Sequence, residues 1–282
     1  MASQVKRITN RLLSLIKTHL LPEHILDPFI NTYYYFAMNV LIVGYGEMGK
    51  HVESILIQRK HTITGRVDPV CGEYPVISRE LADKSEVAIE FSIPKVAIAN
   101  MELYARYGLN AVMATTGWYD QMDTVKQLVE ESGIAFIYGA NFSIGAHLFF
   151  SLVEKAARII NPFPQYDIMG YEIHHNRKKD SPSGTALSVA DIILKNNEHK
   201  KRLVTDKLDR QIEEDELHFA SLRGGDVPGI HKVLLDSSAD TIEISHSARS
   251  RLGFAQGAVF AAEWLKNKKG FFKVEEFIKE IL

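Results

Sequence analysis

Cysteine is almost missing from this chain: Cys71 is the single one in 282 residues. That excludes an intrachain disulfide and any zinc site built on several thiolates, and it fits a reducing compartment. Net charge is nearly absent too, with 33 Lys and Arg against 35 Asp and Glu for a formal -2. A general nucleic-acid binder carries a strongly basic domain, so nucleic acid is not expected as a partner. No apolar run approaches the roughly 18 residues of a membrane span, and no signal-peptide pattern stands out. A soluble, cytoplasmic protein is therefore expected. Repeats and low-complexity tracts are lacking as well. What is present is an ordinary globular composition, 46% hydrophobic and 24% charged, long enough for one large or two ordinary domains.

Residues 1–37 differ from the rest. Lys6, Arg7, Arg11 and Lys17 precede the first acid, Glu23, and Val5, Ile8, Leu12 and Leu15 fall at helical spacing. A basic amphipathic transit peptide is one reading, which keeps organellar targeting open. The preferred one is a non-native or upstream-start extension, because Met38 opens a self-sufficient nucleotide-binding pattern.

That pattern, "MNVLIVGYGEMGKHVESIL", reads as a strand, a glycine turn and a helix. Gly44 permits the tight turn, Gly46 lets backbone approach a pyrophosphate, and Gly49 lets helix and strand pack closely. Tyr45, Glu47 and Met48 lie between these glycines and join them as candidate cofactor contacts. A second strand, "HTITGRVD", ends at Asp68, roughly 20 residues on, where an acid holds ribose hydroxyls. Further alternation follows: "VAIEFS", a helix over 94–107, "NAVMATTG", a helix over 121–132, and "IAFIYGAN". It predicts a parallel, doubly wound sheet. Ligands bind outside the carboxyl ends of such strands. There stand Phe91 and Ser92, then Thr115, Thr116 and Gly117, then Asn141, Phe142 and Ser143. Each group alone reads as turn chemistry; three in register favour a cofactor cleft.

After a helix in "SIGAHLFFSLVEKAARII" the character changes. "YDIMGYEIHHN", "LHFASLRGG", "IHKVLLDSS" and "DTIEISHSA" read as strands of a mixed or antiparallel sheet, with one helix near 184–195. "KKRLVTDKLDRQIEEDE" reads as a solvated surface segment. The closing "FAQGAVFAAEWLKNKKG" reads as a helix capped by Gly270. The expected fold is α/β: an N-terminal Rossmann dinucleotide-binding domain plus a C-terminal α+β domain with an open mixed β-sheet.

Chemistry concentrates in "GYEIHHNRKKDSPSGTA". On a strand His174 and His175 point to opposite faces, so they do not share a metal, and Arg177, Lys178 and Lys179 repel a cation. No metal site is expected. Ser183, Gly184 and Thr185 open a helix whose free N–H groups favour an anion, beside that basic run. A small carboxylate substrate fits better than a phosphate polymer.

"EIHHNRKKDSPSGTA" closely resembles the substrate motif of the dihydrodipicolinate reductases, roughly E-x-H-H-x-x-K-x-D-x-P-S-G-T-A. "GYGEMG", "FSIP", "ATTG", "ANFSIGA", "RGGDVPG" and "ISHSARSRLGFAQGAV" extend the resemblance from Met38 to the C-terminus. The resemblance implies a dinucleotide-binding domain over 38–143, rejoined by a C-terminal helix over 252–282, and a substrate-binding and oligomerisation domain over 144–251. It further implies a homotetramer that uses NADH or NADPH to reduce 4-hydroxy-tetrahydrodipicolinate, through its dehydrated imine, in the diaminopimelate route to lysine. Carried over by position, Lys178 is the proton donor and His174 its catalytic helper. His175, Ser183, Gly184 and Thr185 hold a substrate carboxylate. Between Arg177 and Lys179, Lys178 is expected among like charges that ease proton release.

Two departures stand out. Asn176-Arg177 replaces a common Arg-His, and Ile230-His231 a common Glu-His, so the outer substrate shell is expected to differ. Pro69 occupies a position where a basic residue often holds the 2′-phosphate of NADPH, and Asp68 favours a free 2′-hydroxyl, so NADH is favoured. Arg66, on the same strand face, is the one residue placed to rescue NADPH. A sibling such as an aspartate dehydrogenase, or a non-catalytic NAD(H) sensor, shares the plan; the H-H-x-x-K and P-S-G-T-A pair discriminates.

Overall fold

A computed structural model describes residues 37–282, so the readings of the basic segment before Ala37 lie outside the described residues. Strand β1 (Asn39–Val43) shows why the parallel sheet is internal: Val40 to Val43 are all buried, as a strand covered on both faces requires. It pairs with β2 (Thr62–Val67) and β3 (Val87–Glu90), and the sheet extends through β4 (Asn110–Met113) and β5 (Ala135–Tyr138). A final strand, β11 (Gly270–Lys273), adds to the far edge, for the order β11-β5-β4-β3-β1-β2 with every pairing parallel.

Helices α1 (Glu47–Gln58), α2 (Arg79–Asp83), α3 (Pro94–Tyr107) and α4 (Met122–Ser132) make the crossovers. Proline at the start of α3 costs no hydrogen bond, and Gly108 (φ 69°) and Gly133 (φ 66°) end α3 and α4 in the left-handed region. Alternate residues of β1 feed two cores. Val40 and Ile42 pack with Ala258 and Val259 of α7 (Leu252–Trp264) and Phe277 of α8 (Val274–Ile281). Leu41 and Val43 face Met101, Tyr104, Trp118 and Val125. The C-terminal segment thus completes the core around β1.

The second sheet joins β6 (Asp167–His174), β7 (Arg202–Val204), β8 (Glu216–Arg223), β9 (Ile230–Asp236) and β10 (Thr241–Ser247) in the order β10-β9-β6-β8-β7. Its β10-β9-β6 half is antiparallel and its β6-β8-β7 half parallel. Alternate residues of β6, from Ile168 to His174, are buried. Phe149 and Val153 of α5 (Ile144–Ile159) and Val189 and Ile193 of α6 (Gly184–Asn196) cover that face. The architecture is α/β: a Rossmann-like parallel sheet followed by a mixed-sheet domain.

Two local expectations change. The charged stretch after α6 is not solvated throughout: Arg202–Val204 forms edge strand β7, whose Arg202 pairs with Asp215 at 2.7 Å across the ladder to β8. Nor does Gly270 cap a helix. Helix α7 stops at Trp264, and Gly270 (φ 114°) opens β11, where the ring of Phe271 stacks on Phe136 at 5.6 Å. Aromatic residues favour the pleated surface. Among the described residues, no helix is long and apolar enough to cross a membrane.

Candidate functional site

The glycine turn after β1 has the shape of a dinucleotide cradle. Gly44 takes φ 85° and donates its N–H to Val67 at 2.8 Å, closing β1 onto β2. A side chain there would overlap the backbone of Phe91, and one on Gly49 would overlap the Gly44 carbonyl. Gly46 differs: a Cβ on it would meet nothing within 4 Å. It caps the N-terminus of α1 without a side-chain hydrogen bond, so helix N–H groups face open space, as pyrophosphate binding requires. Asp68 closes the turn, accepting from the N–H groups of Tyr45 at 3.0 Å and Val70 at 2.9 Å. The Val70 N–H foremost holds its pKa below the usual value, which keeps it ionised.

Arg66 is not free to meet a 2′-phosphate. Glu53 takes its Nε at 2.8 Å and its Nη2 in a shorter contact, while Glu73 takes Nη1 at 2.7 Å. The guanidinium also lies 5.7 Å from the Tyr45 ring centre, and the Tyr45 hydroxyl donates to Glu53.

Three further strand ends reach the same edge, with unequal roles for their residues. Ser92 donates to the buried Glu90 and lies 3.4 Å from the Thr115 hydroxyl. Thr115 is buried and its carbonyl accepts from Trp118, whereas Thr116 and Gly117 are exposed, Gly117 at φ 81° against Pro94. Asn141 accepts from the Ser143 N–H, and Ser143 caps α5. Phe91 and Met48 are partly buried against the β1 core. Phe142 departs from expectation: its side chain is a core residue, 1% exposed, and Gly257 presses on its carbonyl.

The substrate motif surrounds one buried carboxylate. Glu172 and His174 share a face of β6, two residues apart. The register sets Ser221 and Arg223 of β8 beside them on one side, and His231 of β9 beside Glu172 on the other. Glu172 is fully buried and accepts from Ser221 Oγ at 2.9 Å, Arg223 Nη2 at 2.8 Å and the Ser183 N–H at 2.9 Å. Ser183 Oγ donates to it in a shorter contact and caps α6 by accepting from the Ala186 N–H at 3.1 Å. Burial raises the pKa of Glu172, but His231, Ser183 and Arg223 outweigh it and hold the group well below the carboxylate range. Burial pushes His174 down to about 4 against the pull of Glu172, so its imidazole is neutral at pH 7. Ligand atoms of Glu172, His174 and His231 lie within 4.8 Å of one another, but the Arg223 guanidinium already supplies the positive charge this carboxylate takes. Sequence alone gave Glu172 and Arg223 no role and placed His231 only in the outer substrate shell. The two-residue spacing before His174 marks Glu172; only strand register reveals the other two.

Lys178 does not sit among like charges. Its ammonium donates to both oxygens of Asp180, at 2.8 and 2.9 Å, and Arg177 turns away to Asp226 at 2.7 Å. A cavity of about 700 Å³ is lined by Lys178, His174, His175, Ser183, Gly184 and Thr185. A second, of about 840 Å³, shares His174, His175, Thr185, Asn141 and Arg251 and reaches Glu47 and Ser143. Arg251 spans toward the glycine turn, 2.8 Å from Glu47. Substrate-motif and cofactor-side residues therefore line adjoining space.

Two family models match this chain: dihydrodipicolinate reductase, N-terminus, over residues 38–142, and dihydrodipicolinate reductase, C-terminus, over residues 145–278. A 4-hydroxy-tetrahydrodipicolinate reductase of Christiangramia forsetii is 39% identical over 244 residues, 86% of this chain and 99% of that protein. One from Archaeoglobus fulgidus is 38% identical, covering 69% of this chain and 76% of its own. Among solved structures, a dipicolinate-bound dihydrodipicolinate reductase from Paenisporosarcina superposes with a TM-score of 0.67 at 19% identity, over 86% of this chain and 99% of that one. A myo-inositol 2-dehydrogenase from Lactobacillus plantarum reaches 0.54 at 10% identity, over 87% and 94%, a likeness of fold alone.

Proposed function

This chain belongs to the dihydrodipicolinate reductase family, and from that premise we propose that it reduces 4-hydroxy-tetrahydrodipicolinate to tetrahydrodipicolinate in the diaminopimelate route to lysine. One observation carries the reading: Lys178, His174 and the opening turn of α6 line one cavity, which shares residues with a second that reaches Glu47 at the start of α1, just past the glycine turn. A nicotinamide dinucleotide, which the cradle at Gly46 and Asp68 fits, supplies the hydride when bound. The remaining work falls to this chain's side chains and backbone. The N–H groups of Gly184 and Thr185 at the start of α6, with His175, hold a carboxylate of the substrate. Once the 4-hydroxyl has left as water, hydride added to the resulting conjugated imine leaves a site that needs a proton, and the Lys178 ammonium is the acid placed to give it. His174, neutral at pH 7, serves as a hydrogen-bonding partner rather than as an acid.

NADH is the preferred cofactor in this reading. Asp68 is ionised where a ribose 2′-hydroxyl would lie, and Arg66 is engaged by Glu53 and Glu73. Residues 144–251 form the substrate-binding and oligomerisation domain of a homotetramer. Support comes from the sheet face opposite Glu172, which carries Ile173 and Leu222, the latter 54% exposed. Light scattering at four chain masses is expected, reduced by Leu222→Glu. A cytoplasmic location accords with the lone exposed thiol of Cys71 and is checked by cell fractionation.

The test is consumption of NADH and NADPH in parallel, with substrate generated in place from pyruvate and aspartate semialdehyde by a dihydrodipicolinate synthase. Substrate-dependent oxidation, faster with NADH, is the expected outcome. A folded protein that binds NADH without oxidising it would belong to the sensor reading.

A further inference from the structure

Glu172 is a buried charge without contact to the cavities, yet three parts of the site meet on it. The first is Ser183, which binds it through both N–H and hydroxyl while capping the helix whose next residues, Gly184 and Thr185, face the substrate cavity. The second is His174, whose Nδ1 lies 3.2 Å from Oε2 without a hydrogen bond to it, with Nε2 on the Gly229 side that lines the cleft. The third is Arg223. Its Nη2 bridges Glu172 at 2.8 Å to the Asp180 carbonyl at 2.7 Å, and Asp180 holds Lys178.

An ordinary structural ion pair needs only Arg223. Here the carboxylate also receives Ser221 Oγ at 2.9 Å and lies 3.3 Å from His231 Nε2, so every direction open to it is fixed from β8, β9 or the start of α6. A carboxylate held by this many donors is rigid, and rigidity passes to whatever it holds. Ser183 cannot rotate without losing a bond to Glu172 or the cap at Ala186. The N–H groups meant for a substrate carboxylate are thereby fixed before substrate arrives.

We propose that Glu172 is a positioning residue for the reduction: through Ser183 it fixes the anion-binding turn at Gly184 and Thr185, and through Arg223, which also donates to the Asp180 carbonyl, it braces the segment that holds Lys178. The proposal rests on the reductase reading for its reaction. Its effect on binding stands apart, because the turn must hold a dicarboxylate whether or not turnover follows. Glu172 touches neither substrate nor cofactor, and its loss is felt only through the groups it holds.

The experiment uses the full chain with Glu172→Gln, which keeps shape and removes the charge. Dipicolinate, a planar dicarboxylate, and NADH are titrated separately, melting temperature is recorded, and kcat and KM are measured. Expected is a rise of about tenfold or more in the dipicolinate Kd and in KM, with the NADH Kd unchanged within twofold, since lost hydrogen bonds to a charged group are worth that much. If Glu172→Gln does not fold, Ser221→Ala removes one donor without altering charge and is expected to show the same split at about threefold. Glu172→Asp, which keeps the charge, is expected to recover part of the dipicolinate affinity. An unchanged dipicolinate Kd overturns the proposal, as does a parallel weakening of both ligands that follows the fall in melting temperature. Wild-type protein that binds dipicolinate and NADH but turns nothing over sinks the reductase reading while leaving the dipicolinate split to decide this one.

Discussion

Lys178 and Asp180 form an ion pair beside the substrate cavity, with Nζ 2.8 and 2.9 Å from the two carboxylate oxygens. Asp180 is 58% exposed at its side chain, so the pair is held loosely. A substrate carboxylate can take the ammonium from it. Lys178→Met keeps the apolar stem and removes the acid. Its kcat is expected to fall by roughly 10²- to 10⁴-fold, the usual worth of a general acid. NADH affinity by fluorescence titration is expected to stay within twofold; loss of NADH binding with turnover preserved would overturn the assignment.

The second prediction concerns cofactor choice. Asp68→Ala removes an ionised acceptor for the ribose hydroxyls and should lower kcat/KM with NADH by about 10- to 100-fold, since charged hydrogen bonds contribute about 1.5–3 kcal/mol. It should not by itself create an NADPH enzyme, because Glu53 and Glu73 still neutralise Arg66. Adding Glu53→Gln leaves that guanidinium with the half-exposed Glu73 as its acidic partner, and the double variant is expected to shift the ratio toward NADPH. Equal wild-type efficiency with both cofactors would show that Asp68 does not discriminate.

Much of this was legible in the sequence because period and punctuation are local. The alternation of apolar strands and helices up to Tyr138, the proline that opens α3 and the glycines of the first turn each act over a few residues, and the structure follows them. What escaped was decided by distant partners. Arg202–Val204 is a strand only because β8 lies beside it, and Gly270–Lys273 only because β5 offers an edge. The same holds at the site. Lys178 stands among basic residues in sequence, but folding gives it Asp180 and gives Arg177 to Asp226. Arg223 and His231 reach Glu172 through cross-strand register, which no spacing within "YEIHHN" encodes.

Two glycines of one motif should respond oppositely to the same methyl group. Gly46→Ala places a Cβ in open space at the helix N-terminus, at φ -74°, which alanine adopts freely. Melting temperature should hold while NADH affinity drops about tenfold or more, the methyl lying where the pyrophosphate must approach. Gly49→Ala drives its Cβ into the Gly44 carbonyl. Overpacking there should cost about 1–3 kcal/mol and lower both melting temperature and NADH affinity. Scanning calorimetry with NADH titration separates the two, and equal destabilisation would refute the division of roles.

Glu90 supplies the last prediction. It lies fully buried at the end of β3, taking hydrogen bonds from Ser92, from Asn100 at 2.9 Å and from the Tyr104 hydroxyl at 2.6 Å. No cation pairs with it among these contacts, so burial raises its pKa from 4.5 to about 7. A folded-state pKa above the unfolded one means that the fold prefers the protonated form. The stability this contributes is full below pH about 4.5, declines as pH rises, and is gone above pH about 7. A gap of this size corresponds to about 3 kcal/mol at most. Glu90→Gln keeps an acceptor for Ser92 and Asn100, turns an amide toward Tyr104 and cannot ionise. Its unfolding free energy should therefore lose the slope between pH 4.5 and 7 that the wild type shows, and at pH 8 the variant should be the more stable protein by roughly 1–3 kcal/mol. Urea unfolding at half-unit pH steps reads both curves. If they run parallel, Glu90 carries the same charge folded and unfolded, and the buried carboxylate is held ionised by its three donors after all.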